Sequence, residues 1–550
     1  MKGNMIVLTP LKTHDDHQIL RIHREHPVDG FLHISGRPFA GLVLNESGLP
    51  PCFEIVGDCD LTFQAVFSNT EGKKVRDNIS LFFEMEEGVS AVDGKAKAEQ
   101  FFYPLIQNLP GDHPSFLNLV MAALEKSCPE IRAIVVEIKV VGDVEKETTN
   151  GDSEPLMEKV TPGNVQELLE HAFPNGLTVE ILAKSLKCTE KEVTDHLHVL
   201  RNEGIARLVV DEWIRVDAKK IDGSLMPRQT GPDARASPTI AIITFLFVEK
   251  QAIDSLIEDS HSIHRYKSGG DSNIYTIGKI GSHQVVATKL ATIGSSRTAK
   301  ISAGSITTRL LGNYQNIQHV FIVGVGGGVA NLTDASLHAR RGDVVVSASL
   351  PHNYIYAHDL LRDQMTEEMI GFAIRKWTPV DTTIGMILED ADAELVETWM
   401  DLNEKTTKTL RSSTDGLNWE APPQSSDILT LPLSSGQYMT IPHPETNRTG
   451  PTLHVGLVGA IAKLQNIPAE KQIKAKKMFI ESHNVCCLDA GFDSVVAACI
   501  GSCVQSWVLV RGICDYESGQ SPSGKSWQPL AAVRAATMTK CLIEKLPKSN

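Results

Sequence analysis

The hydrophobic pattern changes character along the chain, and each change marks a different kind of element. Beyond residue 238, apolar runs at 239–247, 273–280, 284–290, 319–325, 343–348, 453–459, 485–488 and 507–513 predict strands, and helical spacing predicts helices at 249–258, 299–311, 492–504 and 530–546. Strands alternating with helices predict an α/β domain on a mixed, largely parallel sheet flanked by helices. Residues 404–437, rich in Ser, Thr and Pro, interrupt that rhythm and predict an insertion or mobile loop.

Upstream, the pattern predicts three helices at 165–172, 178–186 and 190–202, then two short strands at 205–210 and 213–216. Thr189 and Glu192 have capping-box spacing, Val193, Leu197 and Leu200 share one helical face, and Gly204 ends the helix. This order resembles a winged helix-turn-helix over 160–217. Residues 1–141 mix β-like runs (61–67, 79–83) with a helical stretch (115–125), which predicts an α+β domain with no chemical constellation. Between these lie two linkers. Residues 142–159 carry Asp143, Glu145, Glu147, Asp152, Glu154 and Glu158 with almost no apolar content, and residues 218–237 are rich in Gly, Ser and Pro. The expected catalytic domain is then 238–550.

A chain of 550 residues exceeds one core and fits three or four such units. A composition 42% hydrophobic and 22% charged excludes collagen-like and wholly disordered polymers. The net charge of −14 argues against broad binding to a phosphate backbone. Residues 160–216 hold six Lys/Arg against nine Asp/Glu, so the winged helix is expected to dock a protein or act as a spacer, with nucleic acid an unlikely partner. The longest apolar run, 240–248, is too short to span a bilayer, and residues 1–16 lack a signal-peptide core; a cytoplasmic protein without membrane association is expected. Ten cysteines without a CxxC point to buried reduced thiols, with no metal site.

Two glycine-rich stretches invite a ligand reading. Gly324, Gly326, Gly327 and Gly328 follow the strand predicted from 319 and predict a turn where backbone approaches a ligand closely. Val329 breaks the dinucleotide fingerprint. Residues 519–526 satisfy P-loop spacing, but no strand runs directly into Gly519 and Pro529 disrupts the expected helix start. Acids at strand exits are the stronger signal, because open α/β sheets bind ligands outside the carboxyl ends of their strands. Glu249 ends the first strand of the domain, Asp489 follows 485–488, and Asp515 follows 507–513.

Four blocks complete the pattern: the strand ending in Glu249; Phe321 through Gly328; Arg341-Gly342-Asp343 followed by Val344 to Ser347; and Val510-Arg511-Gly512-Ile513-Cys514-Asp515-Tyr516 with Trp527-Gln528-Pro529. Together they resemble the purine nucleoside phosphorylase and nucleosidase superfamily, close to 5′-methylthioadenosine/S-adenosylhomocysteine nucleosidases and eukaryotic multidomain relatives, over a little more than half the chain. The resemblance implies that Asp515 binds the purine near N7 and protonates it, and that Glu249 orients or deprotonates water. Leu488-Asp489 falls where relatives have a Met-Glu pair gripping the ribose hydroxyls. The glycines, Thr292, Gly294, Ser295 and Cys514 would line the substrate. Arg297, Arg341, His358 and Lys525 are candidate phosphate contacts. No cofactor is implied, and a homo-oligomer is.

Ile322 stands where phosphate-using relatives place Arg, so hydrolysis is expected over phosphorolysis, the alternative. Some superfamily members hydrolyse ATP to adenine as immune effectors, which makes an adenine nucleoside or nucleotide the expected substrate. Residues 458–463 depart from the usual base-stacking segment. A purine sensor and a DNA-bound regulator are the rivals from other classes.

Overall fold

The computed structural model describes residues 5–14, 17–25, 40–42, 59–68, 74–107, 109–126, 128–143, 160–216, 237–264, 274–290, 296–332, 337–348, 352–362, 369–389, 393–412, 417–432, 438–441, 443, 448, 450–462 and 469–548. They divide into two compact units, and the division is not collinear with the chain. The first comprises Met1–Glu154, Asn331–His338 and Ser425–Arg448; the second comprises Pro155–Ala330, Ala339–Gln424 and Thr449–Asn550.

In the first unit, Cys59–Ser68 alternates buried Leu61, Phe63, Ala65 and Phe67 with outward Thr62, Gln64 and Val66, the period of a strand with one covered face. Helices Ala91–Gln107 and His113–Lys126 supply rings to that face, with Phe102 and Phe116 lying 5.4 and 6.0 Å from Phe63. The sheet has eight strands. Its order runs Leu429–Pro432, Tyr438–Ile441, Cys59–Ser68, Lys74–Met85, Ile131–Asp143, His17–Glu25, Met5–His14, Ala40–Leu42. The first comes from the segment expected to be an insertion or loop, the second follows directly after it, and Thr440 stands opposite Gln64. The start of that segment is instead the end of helix Ala393–Arg411.

The second unit opens with helices Pro162–Ala172, Val179–Leu186 and Glu190–Asn202 and strands Ala206–Val209 and Glu212–Arg215. Thr189 and Glu192 form the expected capping box, and Val193, Leu197 and Leu200 enter one core with Val165, Leu169 and Trp213. The remainder is a twelve-stranded sheet with six parallel and five antiparallel strand pairs, so it is mixed, with parallel pairs only narrowly ahead. Helix Gln528–Lys545 packs across it, burying Ala531, Ala535, Met538 and Leu542. No helix among the described residues is long and apolar enough to cross a membrane.

One expectation is corrected here. Residues 324–328 are not a turn: the strand runs unbroken from His319 to Gly328, buried throughout. Ser506–Asp515 lies parallel along it as far as Gly327, so the glycines keep their ladder. The helix expected over 249–258 is also shorter, Phe247–Asp254, and Glu258–His264 is a strand.

Candidate functional site

The Gly-rich strand organises the site. Ser506–Asp515 occupies one of its edges almost throughout, and the other edge is shared. Ile240–Thr244 pairs with His319–Ile322, and Val485–Leu488 pairs with Gly327 and Gly328. From the end of the first pairing onward, side chains take over the backbone's polar groups, as buried amides and carbonyls require. The Val325 N–H donates to Glu249 Oε1 at 2.8 Å, and the Ile322 carbonyl accepts from Arg511 Nη1 at 3.1 Å. Gly327 lies in register with both Leu488 and Asp515. All three predicted acids therefore gather around residues 322–327 of one strand.

Glu249 sits in the first turn of helix Phe247–Asp254 because the strand before it ends at Thr244. Its Oε2 accepts from the Phe245 and Leu246 amides, both at 2.8 Å. Burial pushes its carboxyl up, against the pull of these amides and of the Arg511 charge. Gly324 is required here: a Cβ at that position would stand 2.5 Å from Glu249 Oε1.

Asp515 ends its strand fully buried and anchors the loop that follows. Oδ1 accepts from the Glu517 and Gly519 amides at 2.9 and 2.8 Å, and Oδ2 from the Ser521 amide at 2.9 Å. Here lies the fate of the P-loop spacing: the amides a phosphate would use are turned onto Asp515. Gly519, at φ +83°, lies against the backbone of Gly326, and Pro522–Trp527 forms a 3-10 turn before the last helix. Cys514 Sγ reaches the Gly519 carbonyl at 3.3 Å, and burial pushes its thiol well up.

Asp489 is buried as well, and internal donors hold both its oxygens. Arg511 Nε and Nη2 approach Oδ2 at 3.3 and 3.2 Å; the Tyr354 hydroxyl and the Gly491 amide donate to Oδ1 at 3.0 and 2.9 Å. Burial pushes the Asp489 carboxyl up while Arg511 pulls it down. In this conformation Asp489 braces the strand ends, and a ribose hydroxyl would have to compete with four internal donors.

Leu488 lies buried beside these groups. The Arg341 guanidinium lies 5.6 Å from the centroid of the Tyr516 ring, next to Asp515, whereas His358 is exposed on strand Tyr354–Arg362. Lys525 is exposed and paired with Glu167 at 2.7 Å. Thr292, Gly294 and Ser295 lie outside the described residues; Arg297 belongs to helix Ser296–Asn313.

Sequence reasoning missed Arg511, Tyr354 and two lysines. Arg511 had a signal, a lone charge inside an otherwise apolar run. Buried Lys289 had the same signal, as the one charge in the run at 284–290, whereas half-buried Lys476, which donates to the Tyr516 carbonyl, had none.

Among known families, residues 151–217 match the one described as winged helix-turn-helix domain. A nucleotide-binding leucine-rich repeat (NLR)-like protein of Hyaloscypha variabilis is 24% identical over 309 residues, 54% of this chain. The chain spans only 28% of that relative's length. Among solved structures, a 5′-methylthioadenosine/S-adenosylhomocysteine nucleosidase from Colwellia psychrerythraea in complex with adenine matches 57% of the chain and 98% of its own at 16% identity and a TM-score of 0.34. Futalosine hydrolase of Helicobacter pylori matches 57% of the chain and all of its own at 14% identity and a TM-score of 0.32.

Proposed function

We propose that the part of the chain after residue 238 hydrolyses the N-glycosidic bond of a purine nucleoside or nucleotide, releasing an adenine-type base. The observation that supports this most is the convergence of Glu249 and Asp515 on one stretch of the Gly-rich strand. Cleavage builds positive charge on the sugar and negative charge on the base, so it needs one carboxylate and one acid. The C1′–N9 bond breaks with its electron pair going to the base, and water bonds to C1′. Glu249 takes the water's proton, and Asp515 gives one to N7. Asp515 Oδ2 accepts a single amide, which leaves it a lone pair to carry that proton.

Water is favoured over phosphate as nucleophile. The Arg511 guanidinium among the acids is committed to Asp489 and the Ile322 carbonyl, so it offers no open fork to a dianion. A 5′-phosphate would meet Arg341, whose guanidinium lies over the Tyr516 ring, and would meet Lys525 only if that side chain left Glu167.

The test is chromatographic detection of free purine from adenosine, methylthioadenosine, AMP, ATP, inosine and guanosine, with and without phosphate. Phosphate-independent release, reduced about 10²-fold or more in Asp515→Asn, is the expected result. Release only with phosphate makes the protein a phosphorylase. A purine sensor is the second reading, favoured by one observation: every oxygen of Glu249 and Asp515 already has an amide partner. Tight purine binding without base release would establish it.

A further inference from the structure

The winged helix grips the helix that carries Glu249. Phe247 opens that helix and is 2% exposed; the Phe173 ring meets it edge-on at 5.2 Å, and the Arg215 guanidinium lies 4.5 Å from its centroid. Phe173 follows the first winged-helix helix, and Arg215 ends the second strand of the wing. Both are buried, and Arg215 is aimed by Glu170 Oε1 at 3.1 Å and the Val216 carbonyl at 2.9 Å. Lys289, at the end of the strand beside Ile240–Thr244, donates to the His171 and Phe173 carbonyls at 3.1 Å each. The rim contact joins exposed Lys525 to half-exposed Glu167 and is open to solvent screening. The buried cluster is where the holding force lies.

We infer that Phe173 and Arg215 are positioning residues for the proposed hydrolysis, acting through Phe247 to fix the turn in which Glu249 takes its three amides. This rests on the hydrolase reading above. It makes the winged helix part of the catalytic machinery. The physical reason is distance: Phe247 is two residues before Glu249, and the Phe245 and Leu246 amides that orient the carboxylate immediately precede the clamped residue. A loosened ring lets the turn rotate, and a displacement of about 1 Å can cost about 10²-fold in rate.

The experiment uses the full chain with Arg215→Lys, which keeps the charge and loses the planar stack, and Phe173→Leu, which keeps apolar bulk. Lys191→Gln, exposed on the third helix of the winged helix, is the control. Two readouts are taken: base-release kinetics across pH, and hydrogen exchange of the segment around 245–254. Expected are a kcat lower by about tenfold or more with KM within about twofold, a displaced acid limb, and faster exchange at 245–254, with Lys191→Gln near wild type on every count. Unchanged exchange in both folded variants overturns the inference whatever the chemistry does. Faster exchange with kcat unchanged or raised overturns the positioning role. If wild type releases no base at all, the hydrolase reading fails, and with it the catalytic role; exchange still reports whether the clamp exists.

Discussion

Glu249 holds three amide hydrogen bonds and still has its carboxyl pushed up by burial. A base works only when deprotonated. The acid limb of kcat/KM is therefore expected above the ordinary glutamate value of about 4.3, with activity lost as pH falls through that raised value. Glu249→Gln should lower base release by about 10²-fold on the plateau above that limb and abolish the limb, so that the deficit shrinks as pH falls, which a pH–rate profile of both proteins checks. Gly324→Ala attacks the same carboxylate from the strand side. Its Cβ needs the space of Oε1, so both activity and stability should drop. In a double-mutant cycle with Glu249→Ala, most of the stability loss should disappear, a coupling of about 0.5–3 kcal/mol measured by urea unfolding.

At the scale of elements, Asp489, Arg511 and Tyr354 tie three strand segments together. Tyr354→Phe removes the hydroxyl that donates to Asp489 and accepts from the Phe492 amide, leaving two buried groups short of a partner. A loss of about 2–4 kcal/mol in urea unfolding is expected, larger than an exposed tyrosine would give. Much of this sheet was legible in the sequence, since long apolar runs such as those at 319 and 507 declare buried strands whatever their partners. Strands Tyr354–Arg362 and Met369–Trp377 and helices Ala393–Arg411 and Ala469–His483 did not declare themselves. They are half-exposed and carry mixed charge, so periodicity is diluted. The glycines at 324–328 misled for a different reason: local propensity favours a turn, and only neighbouring strands make them a strand. The acids were found because strand exits are visible in a pattern. Their partners were not, because pairings such as Arg511 with Asp489 depend on which strands lie side by side.

For the molecule as a whole, Lys289 is the group whose ionisation reports on the joint between winged helix and sheet. Burial lowers its pKa to about 7. Between about pH 7 and 10 the unfolded chain holds more protons than the folded one, so stability rises with pH there, by at most about 1.4 kcal/mol per unit; below pH 7 the penalty is constant. Lys289→Met should lack that slope, which denaturation at pH 7, 8 and 9 would reveal. A parallel slope in the two proteins would mean that Lys289 keeps an ordinary pKa.

The hairpin of Leu429–Pro432 and Tyr438–Ile441 also sets a timetable for biosynthesis. The strand it pairs with, Cys59–Ser68, is translated about 370 residues earlier. At 5–20 residues per second, that edge waits roughly 20–75 s on the ribosome for its last neighbours. Throughout that interval a nascent chain displays a strand edge whose backbone groups have no neighbour, a natural target for chaperones and a hazard when translation stalls.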